Sequence, residues 1–183
     1  MRHTAVLLLA LLCFVLAERT VAETVTAPAL KAAFLYNFAK FTEWPPEALR
    51  SAAPIEICFS GDAQVANALE EVTRGHDVAG HRLVLRRVDP LGTGQTCHML
   101  YVADLTAKTA IQVVERVKGV PVLAVSDFQG FASIGGNTEF FVEGGRMRFA
   151  VNLEATQRSG LRLSSKLLTL AKTVEDDPNA SKP

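Results

Sequence analysis

The chain has 183 residues, 49% of them hydrophobic, and its 19 basic and 19 acidic residues cancel to a formal net charge of zero. Removing a leader that carries Arg2, Glu18 and Arg19 leaves one net negative charge, which gives no support to nucleic acid or an anionic membrane surface as partner. The remaining length, about 160 residues, suits one domain with its own core.

The amino terminus has the pattern of an export signal. An apolar run from Ala5 to Ala17 follows a short polar start, and Thr20-Val21-Ala22 offers small residues for cleavage. The run is too short to span a bilayer comfortably, which favours a cleaved signal peptide, residues 1–22, over a membrane anchor. We therefore expect an exported mature chain that begins near Glu23 and does not insert into the membrane.

Cleavage also decides the number of cysteines in the mature chain. Cys13 is lost with the leader, and Cys58 and Cys97 remain. An even pair in an oxidising compartment predicts a disulfide, which the loop-entropy relation values at about 4 kcal/mol. Two cysteines without Cys-x-x-Cys spacing are too few for a structural zinc site.

The first predicted element is an aromatic helix. Thr26 and Pro28 give a start signal, and Trp44-Pro45-Pro46 ends the helix. Apolar side chains recur at helical spacing along one stripe, which predicts its buried face: Leu30, Phe34, Phe38 and Phe41, with Leu35 and Ala39 beside them. Tyr36 and Trp44 lie off this stripe or at its end and are expected at the surface or in a pocket.

Strands and helices alternate through the middle of the chain. Apolar or alternating runs predict strands at 55–60, 81–88, 99–103 and 120–126, and helical spacing predicts helices at 63–74 and 106–118. This order predicts a three-layer α/β/α sandwich with a mostly parallel sheet and helices on both faces.

The last third of the chain changes character. After a glycine-rich loop at 128–136, the runs 139–143 and 146–152 flank Gly144-Gly145 and predict an antiparallel hairpin. A short helix capped by Asn152 and a final helix from Ser164 through Ala171 complete a single domain at residues 23–174. Residues 175–183 are predicted to form a flexible tail.

Two sets of residues raise the question of catalysis or metal binding. Asp62, Asp104 and Asp127 each follow an apolar run, where open parallel sheets place ligands, although capping and turn chemistry explain each of them as well. His76-Asp77 with His81 suits a solvated turn better than helical metal ligands. We predict no catalytic residue, no metal and no cofactor.

Three motifs and the cysteine pair resemble the YfiR family. The motifs are Lys31-Ala-Ala-Phe-Leu-Tyr-Asn-Phe-Ala-Lys-Phe-Thr-Glu-Trp-Pro45, then Gly135-Gly136 with Arg146-Met-Arg-Phe-Ala-Val-Asn-Leu153, and Ser159-Gly-Leu-Arg-Leu-Ser-Ser-Lys-Leu-Leu168. Their order in an exported chain is a fairly specific combination, and they span nearly all of the mature sequence.

The resemblance implies a non-catalytic periplasmic regulator. Its best-known members inhibit an inner-membrane diguanylate cyclase by binding its periplasmic domain, which lowers cyclic di-GMP and biofilm signalling, and an OmpA-like outer-membrane lipoprotein relieves them. Some members have a second disulfide before the hairpin, but 128–143 contains no cysteine here, which leaves redox regulation open. The alternative function is a small-molecule sensor that acts on a histidine kinase, and the oligomeric state stays open, with a homodimer among the candidates.

The resemblance also suggests a small pocket. In some members the Trp-Pro end of the helix and the Gly-x-Arg segment bind anions or aromatic metabolites, which makes Glu43, Trp44, Arg162 and Ser164 pocket candidates. Those members have a basic residue at the position equivalent to Glu43 and a histidine at the position equivalent to Ser164. In this chain Glu43 is therefore expected to pair with Arg162 instead of helping to bind an anion. An exposed ion pair without function is the simpler interpretation.

A partner surface is predicted in the glycine-rich loop and hairpin. Aromatic, aliphatic and arginine side chains in this region could anchor a protein partner: Phe128, Phe131, Ile134, Phe140 and Arg148. Core packing is the alternative for the apolar members of this set.

Overall fold

A computed structural model describes residues 27–92 and 96–177 of the chain. The predicted leader, the first mature residues and the end of the predicted tail lie outside the described residues. The helices are α1 (Ala27–Phe41), α2 (Ala63–Thr73), α3 (Ala107–Val117), α4 (Leu153–Arg158) and α5 (Ser165–Leu168). The strands are β1 (Thr42–Glu43), β2 (Ile55–Ser60), β3 (Asp77–Val78), β4 (His81–Arg87), β5 (Met99–Val102), β6 (Leu123–Ser126), β7 (Thr138–Glu143), β8 (Arg146–Asn152), β9 (Arg162–Leu163) and β10 (Lys172–Val174).

The main sheet has the strand order β10-β8-β7-β6-β5-β2-β4-β3. Its five central strands, from β4 to β7, are parallel, so the prediction of an α/β fold with a mostly parallel sheet is confirmed. At one side β8 pairs antiparallel with β7 across Gly144-Gly145, both at positive φ, and β10 then runs parallel to β8. At the other side β3 pairs antiparallel with the start of β4.

Apolar side chains on the two faces of the sheet build two separate clusters. Alternate residues of β2 point to opposite faces, so Ile55 and Ile57 join the cluster beneath α1 and α2, and Cys58 joins the one beneath α3. Fully burying one such aliphatic side chain stabilises the fold by roughly 1.5–3 kcal/mol.

The buried face of helix α1 agrees only in part with the predicted stripe. Ala32, Leu35, Phe38 and Ala39 are fully buried, whereas Leu30, Phe34 and Phe41 are only half-buried. The two alanines place small side chains on the helix face that packs against the domain, and Phe38 meets the rings of Phe140 and Phe149 with centroids 5.6 and 5.0 Å away.

The predicted disulfide between Cys58 and Cys97 is confirmed. It joins central strand β2 to the segment before β5, with the two Cα atoms 5.7 Å apart. The neighbouring His98 ring accepts a hydrogen bond from the Glu56 N–H at 2.9 Å through Nδ1 and lies 3.1 Å from the Ala48 carbonyl through Nε2. These contacts connect the disulfide to the turn that follows β1.

The carboxyl-terminal prediction needs two corrections. The final helix, α5, ends at Leu168 instead of Ala171, because the chain then turns to place β10 against Ala150–Asn152. The first residues of the predicted flexible tail are anchored: Asp176 lies 2.9 Å from Arg158 and accepts a 2.6 Å hydrogen bond from Asn152, which is fully buried.

Candidate functional site

The order in which successive strands are added to the sheet reverses between the parallel neighbours β2 and β5. From β2 the chain crosses to β4 on one side, and from β5 it continues to β6 on the other. Parallel α/β sheets characteristically bind ligands beyond the strand ends at such a point. Asp62 follows β2, Asp104 follows β5 and Asp127 follows β6, so the predicted acidic residues all lie at this edge.

A lysine of α1 occupies the space between two of these carboxylates. The Lys31 ammonium lies 2.5 Å from Asp127 and 3.8 Å from Asp62. Only 16% of the Lys31 side chain is exposed, and about a quarter of each carboxylate, so water screens these ion pairs less than it would at the surface. Asp104 is exposed, and its own backbone has a positive φ of 57°.

Tyr101 of β5 lies beneath the ion pairs and donates a long hydrogen bond, 3.4 Å, to Asp127. Burial of the phenol raises the pKa of Tyr101 well above its usual range, and the charges of Asp127 and Asp62 raise it further. The tyrosine therefore stays neutral and keeps its proton, through which it donates the hydrogen bond to the carboxylate. Lys31, Tyr101 and the two aspartates form one electrostatic unit at the end of the sheet.

The backbone closes the same crevice from below. Gly61, with a φ of 85°, lies so near β5 that a Cβ there would come within 2.7 Å of the Ala103 carbonyl oxygen. The turns after β2 and β5 are thus in direct contact. Lys31 therefore occupies the position between β2 and β5 where such sheets usually accept a ligand, and together with Asp127 it also lines a neighbouring open cleft.

The histidines considered as metal ligands have other contacts. The ring of His76 lies 6.1 Å from that of Tyr36, and Nδ1 of His81 lies 2.6 Å from the Ala53 carbonyl oxygen. Across residues 27–92 and 96–177, no three His, Cys, Asp or Glu side chains are grouped so that they could hold a metal ion. In the same ranges no helix has the length and apolar character needed to cross a membrane.

The predicted pocket residues at the end of α1 lie on or beside a small two-stranded sheet. Strand β1 pairs antiparallel with β9, which places Glu43 opposite Arg162, with the charged atoms 3.8 Å apart and both side chains more than three-quarters exposed. Trp44 is buried and donates its indole N–H to the His98 carbonyl at 2.9 Å. Ser164 caps α5. Trp44 and Ser164 are therefore committed to structural hydrogen bonds.

The predicted partner residues lie on different sides of the sheet. Phe131 is fully buried in the cluster beneath α3, and Phe140 is buried in the cluster beneath α1, so neither can contact a partner in the folded chain. Phe128 and Ile134 are half-buried beside Phe131, and Arg148 is exposed, 3.9 Å from Glu143. The sequence pattern did not distinguish core aromatic residues from surface ones.

A cleft of about 680 Å³ opens between the hairpin and the glycine-rich loop. Strand β7 extends past Ser126, where β6 ends, and Val142 near the hairpin tip is 71% exposed. The Glu139 carboxylate accepts hydrogen bonds from the Gly130 and Ala132 N–H groups and fixes the loop. Lys172 lies over the Phe141 ring, 5.7 Å from its centroid, at the rim.

Comparison with known proteins gives a family and a distant structural similarity. A family profile described as YfiR/HmsC-like matches residues 28–172, most of the chain. A crystal structure of a conserved domain protein from Vibrio cholerae O1 biovar El Tor str. N16961 is similar with a TM-score of 0.46 and 10% sequence identity. The similarity covers 81% of this chain and 60% of that one.

Proposed function

The chain belongs to the YfiR/HmsC-like family, and on that premise we propose that it binds the periplasmic domain of an inner-membrane diguanylate cyclase and inhibits the enzyme. The family supports a periplasmic regulatory role in a diguanylate cyclase system. Inhibition would lower cyclic di-GMP and biofilm signalling, and an OmpA-like outer-membrane lipoprotein would relieve it by sequestering the regulator.

The observation that carries the proposal is the filled crevice between β2 and β5. Lys31, held by Asp62 and Asp127, occupies the place where comparable sheets accept ligands. The charged side chains at this edge therefore stabilise the fold by pairing with one another. The outer surface of the domain remains for contacts with another molecule, as a regulator that binds protein requires.

Inhibition of this kind is a linkage effect. A regulator shifts a cyclase toward its inactive state only as far as it binds that state more tightly than the active one. Moving the cyclase from 1% to 99% inactive requires about a 10⁴-fold difference in affinity. Withdrawal of the regulator by the lipoprotein reverses the shift by mass action.

The location is proposed from the leader and the disulfide together. The Cys58–Cys97 bond suits an oxidising compartment, which agrees with a periplasmic family. Export would remove residues 1–22. Protein recovered from the periplasm should begin at Glu23; protein that keeps the leader would contradict this part of the proposal.

Deletion of the gene in its native host tests the regulatory role. The deletion strain should contain more cyclic di-GMP than its parent, and expression of the exported protein should restore the parental level. An unchanged level under both envelope and redox stress would overturn the cyclase proposal. A thermal shift of the purified protein with a periplasmic metabolite would instead favour a small-molecule sensor.

A further inference from the structure

Strand β4 has a free backbone edge along most of its length. Strand β3 pairs with β4 only at His81 and Arg82, and β2 pairs with the opposite side of β4 from Leu83 to Arg87. From Leu83 onward, no described residue pairs with the outer side of β4. An edge of this length offers unpaired N–H and C=O groups to another extended chain.

The register identifies the backbone groups that point outward. Ala79 and Gly80, both at positive φ, form a two-residue turn closed by the pair Val78 and His81. Because backbone groups alternate in direction along a strand, the N–H and C=O groups of the even-numbered residues of β4 point toward β2. The next even-numbered residue, Val88, agrees with this, since its N–H donates to the Phe59 carbonyl of β2 at 3.0 Å. Leu83, Leu85 and Arg87 therefore direct their N–H and C=O groups away from the sheet.

The space beside this edge can receive a chain. A cleft of about 590 Å³ lies between the end of α2 and β4, with Arg74, His76 and Asp77 on one side and Arg82, Leu83 and Leu85 on the other. Leu83 and Leu85 are half-buried, so the cleft has an apolar floor next to the free backbone groups. Strand addition needs this combination of a free edge and pockets for alternate side chains.

The charge on β4 indicates what the edge binds. The strand contains three arginines and no acidic residue. Arg86 is paired with Glu56 at 2.7 Å. Arg82 and Arg87 are exposed and have no carboxylate within 4.0 Å in the described part of the chain, and Arg87 lies over the Phe59 ring. The acidic groups that line the cleft, Glu70 and Asp77, belong to α2 and β3.

A second copy of the chain does not suit this edge. Pairing two β4 strands would bring the arginines of both copies into one interface, where like charges oppose pairing. A segment with carboxylates would instead satisfy Arg82 and Arg87. The charge therefore selects a different, acidic polypeptide as the occupant.

We propose that the outer edge of β4 accepts an acidic, extended segment of a partner protein as an added strand. Its backbone pairs with Leu83, Leu85 and Arg87, and its carboxylates meet the guanidinium groups of Arg82 and Arg87. This inference rests on the proposed function for the identity of the partner, the periplasmic domain of the cyclase. The edge itself can be tested without that partner.

The first experiment uses two synthetic probe peptides of equal length, one repeating Val-Val-Glu-Glu and the other Val-Val-Lys-Lys. Each peptide then has charged side chains on both faces when extended, as contact with Arg82 and Arg87 on opposite faces of β4 requires. Amide hydrogen exchange of the purified protein is measured by NMR with each peptide. The Val-Glu peptide should slow exchange at Leu83, Leu85 and Arg87 by about tenfold or more, and the Val-Lys peptide should not. Unchanged exchange with Val-Glu, or equal protection by both peptides, would overturn the proposal. Protection without peptide that rises with protein concentration would overturn the choice of occupant.

The second experiment compares Arg87→Pro with Arg87→Thr in binding to the purified periplasmic domain of the host cyclase. Both variants remove the guanidinium, but only proline removes the outward N–H, and it breaks no bond to β2. Equal denaturation midpoints show that both variants fold. The proline variant should bind about tenfold more weakly than the threonine variant. Equal affinities would overturn β4 as the partner surface and leave the proposed function intact. If the wild-type protein does not bind the domain, the proposed function fails and the peptide experiment alone decides whether the edge accepts a strand.

Discussion

At the scale of single residues, Lys31 and Tyr101 determine the character of the sheet's carboxyl edge. The ammonium lies between two carboxylates and reduces their mutual repulsion, and the phenol donates a hydrogen bond to one of them. Tyr101 is almost fully buried and its pKa is raised, which makes its protonation state part of the stability of the fold.

Tyr101 should not ionise while the protein is folded. The raised pKa means that the folded chain holds the phenolic proton more tightly than the unfolded chain, whose tyrosine titrates near pH 10, at about its usual pKa. This contribution is fully present below about pH 10 and is lost as the pH rises toward the folded-state pKa, by up to about 1.4 kcal/mol per pH unit. In a Tyr36→Phe variant, Tyr101 is the sole tyrosine of the chain, so phenolate absorbance reports on it alone. Absorbance should rise only together with unfolding. A rise near pH 10 in folded protein would contradict the burial of Tyr101.

Gly61 permits the contact that closes the crevice, and Gly75 supplies a matched control. Both have positive φ, at 85° and 74°, but a Cβ at Gly75 would meet no atom within 4 Å. Gly75→Ala should cost about 1 kcal/mol for the backbone alone. Gly61→Ala should cost about 2–4 kcal/mol because the methyl group also overlaps the Ala103 carbonyl. Urea denaturation measures both losses of stability. Equal losses would show that the turn after β2, which contains Gly61, is not in tight contact with the turn after β5.

At the scale of elements, locally determined features could be predicted and those set by distant partners could not. The apolar run of β2 and the Asp62 cap of α2 are visible in the sequence because neighbouring residues specify them. Strands β1, β9 and β10 have two or three residues each, too few for a periodic signal, and they form only because distant segments pair with them. The spacing of apolar residues along β7 also could not show on which face of the sheet Phe140 is buried.

The contacts that fix β10 and the end of the chain can be measured by a paired substitution. Asp176 binds both Arg158 and Asn152, whereas the adjacent Glu175 is exposed. Asp176→Ala should destabilise the fold by about 1–3 kcal/mol, because buried Asn152 loses an acceptor and Arg158 a counter-charge. Glu175→Ala should change it by less than about 0.5 kcal/mol. Chemical denaturation distinguishes them; equal effects would indicate that the segment is not anchored.

At the scale of the whole molecule, the disulfide and the aromatic helix join the sheet into one body. Cys97 and its neighbour His98 connect the centre of the sheet to Trp44, whose indole donates to the His98 carbonyl. Function is then left to the outside of the domain. At one end of the sheet β3 covers only the start of β4, which leaves most of β4 with a cationic free edge.

Reduction of the disulfide should lower stability by about 4 kcal/mol, as expected for a bond between residues 39 positions apart. Trp44 is the sole tryptophan, so its fluorescence reports the unfolding of oxidised and reduced protein directly. A Cys58→Ala/Cys97→Ala variant should match the reduced protein and should not respond to reductant. Equal stability of the oxidised and reduced forms would show that the bond does not constrain the unfolded chain.

The central claim, that this protein acts by binding and inhibiting a cyclase, is tested most directly by enzyme assay. Inner-membrane vesicles are prepared with the cyclase's periplasmic domain accessible, and cyclic di-GMP synthesis is measured as purified protein is added. We predict a saturable fall in the rate, which the OmpA-like lipoprotein reverses. A rate that stays constant at saturating protein would contradict the account.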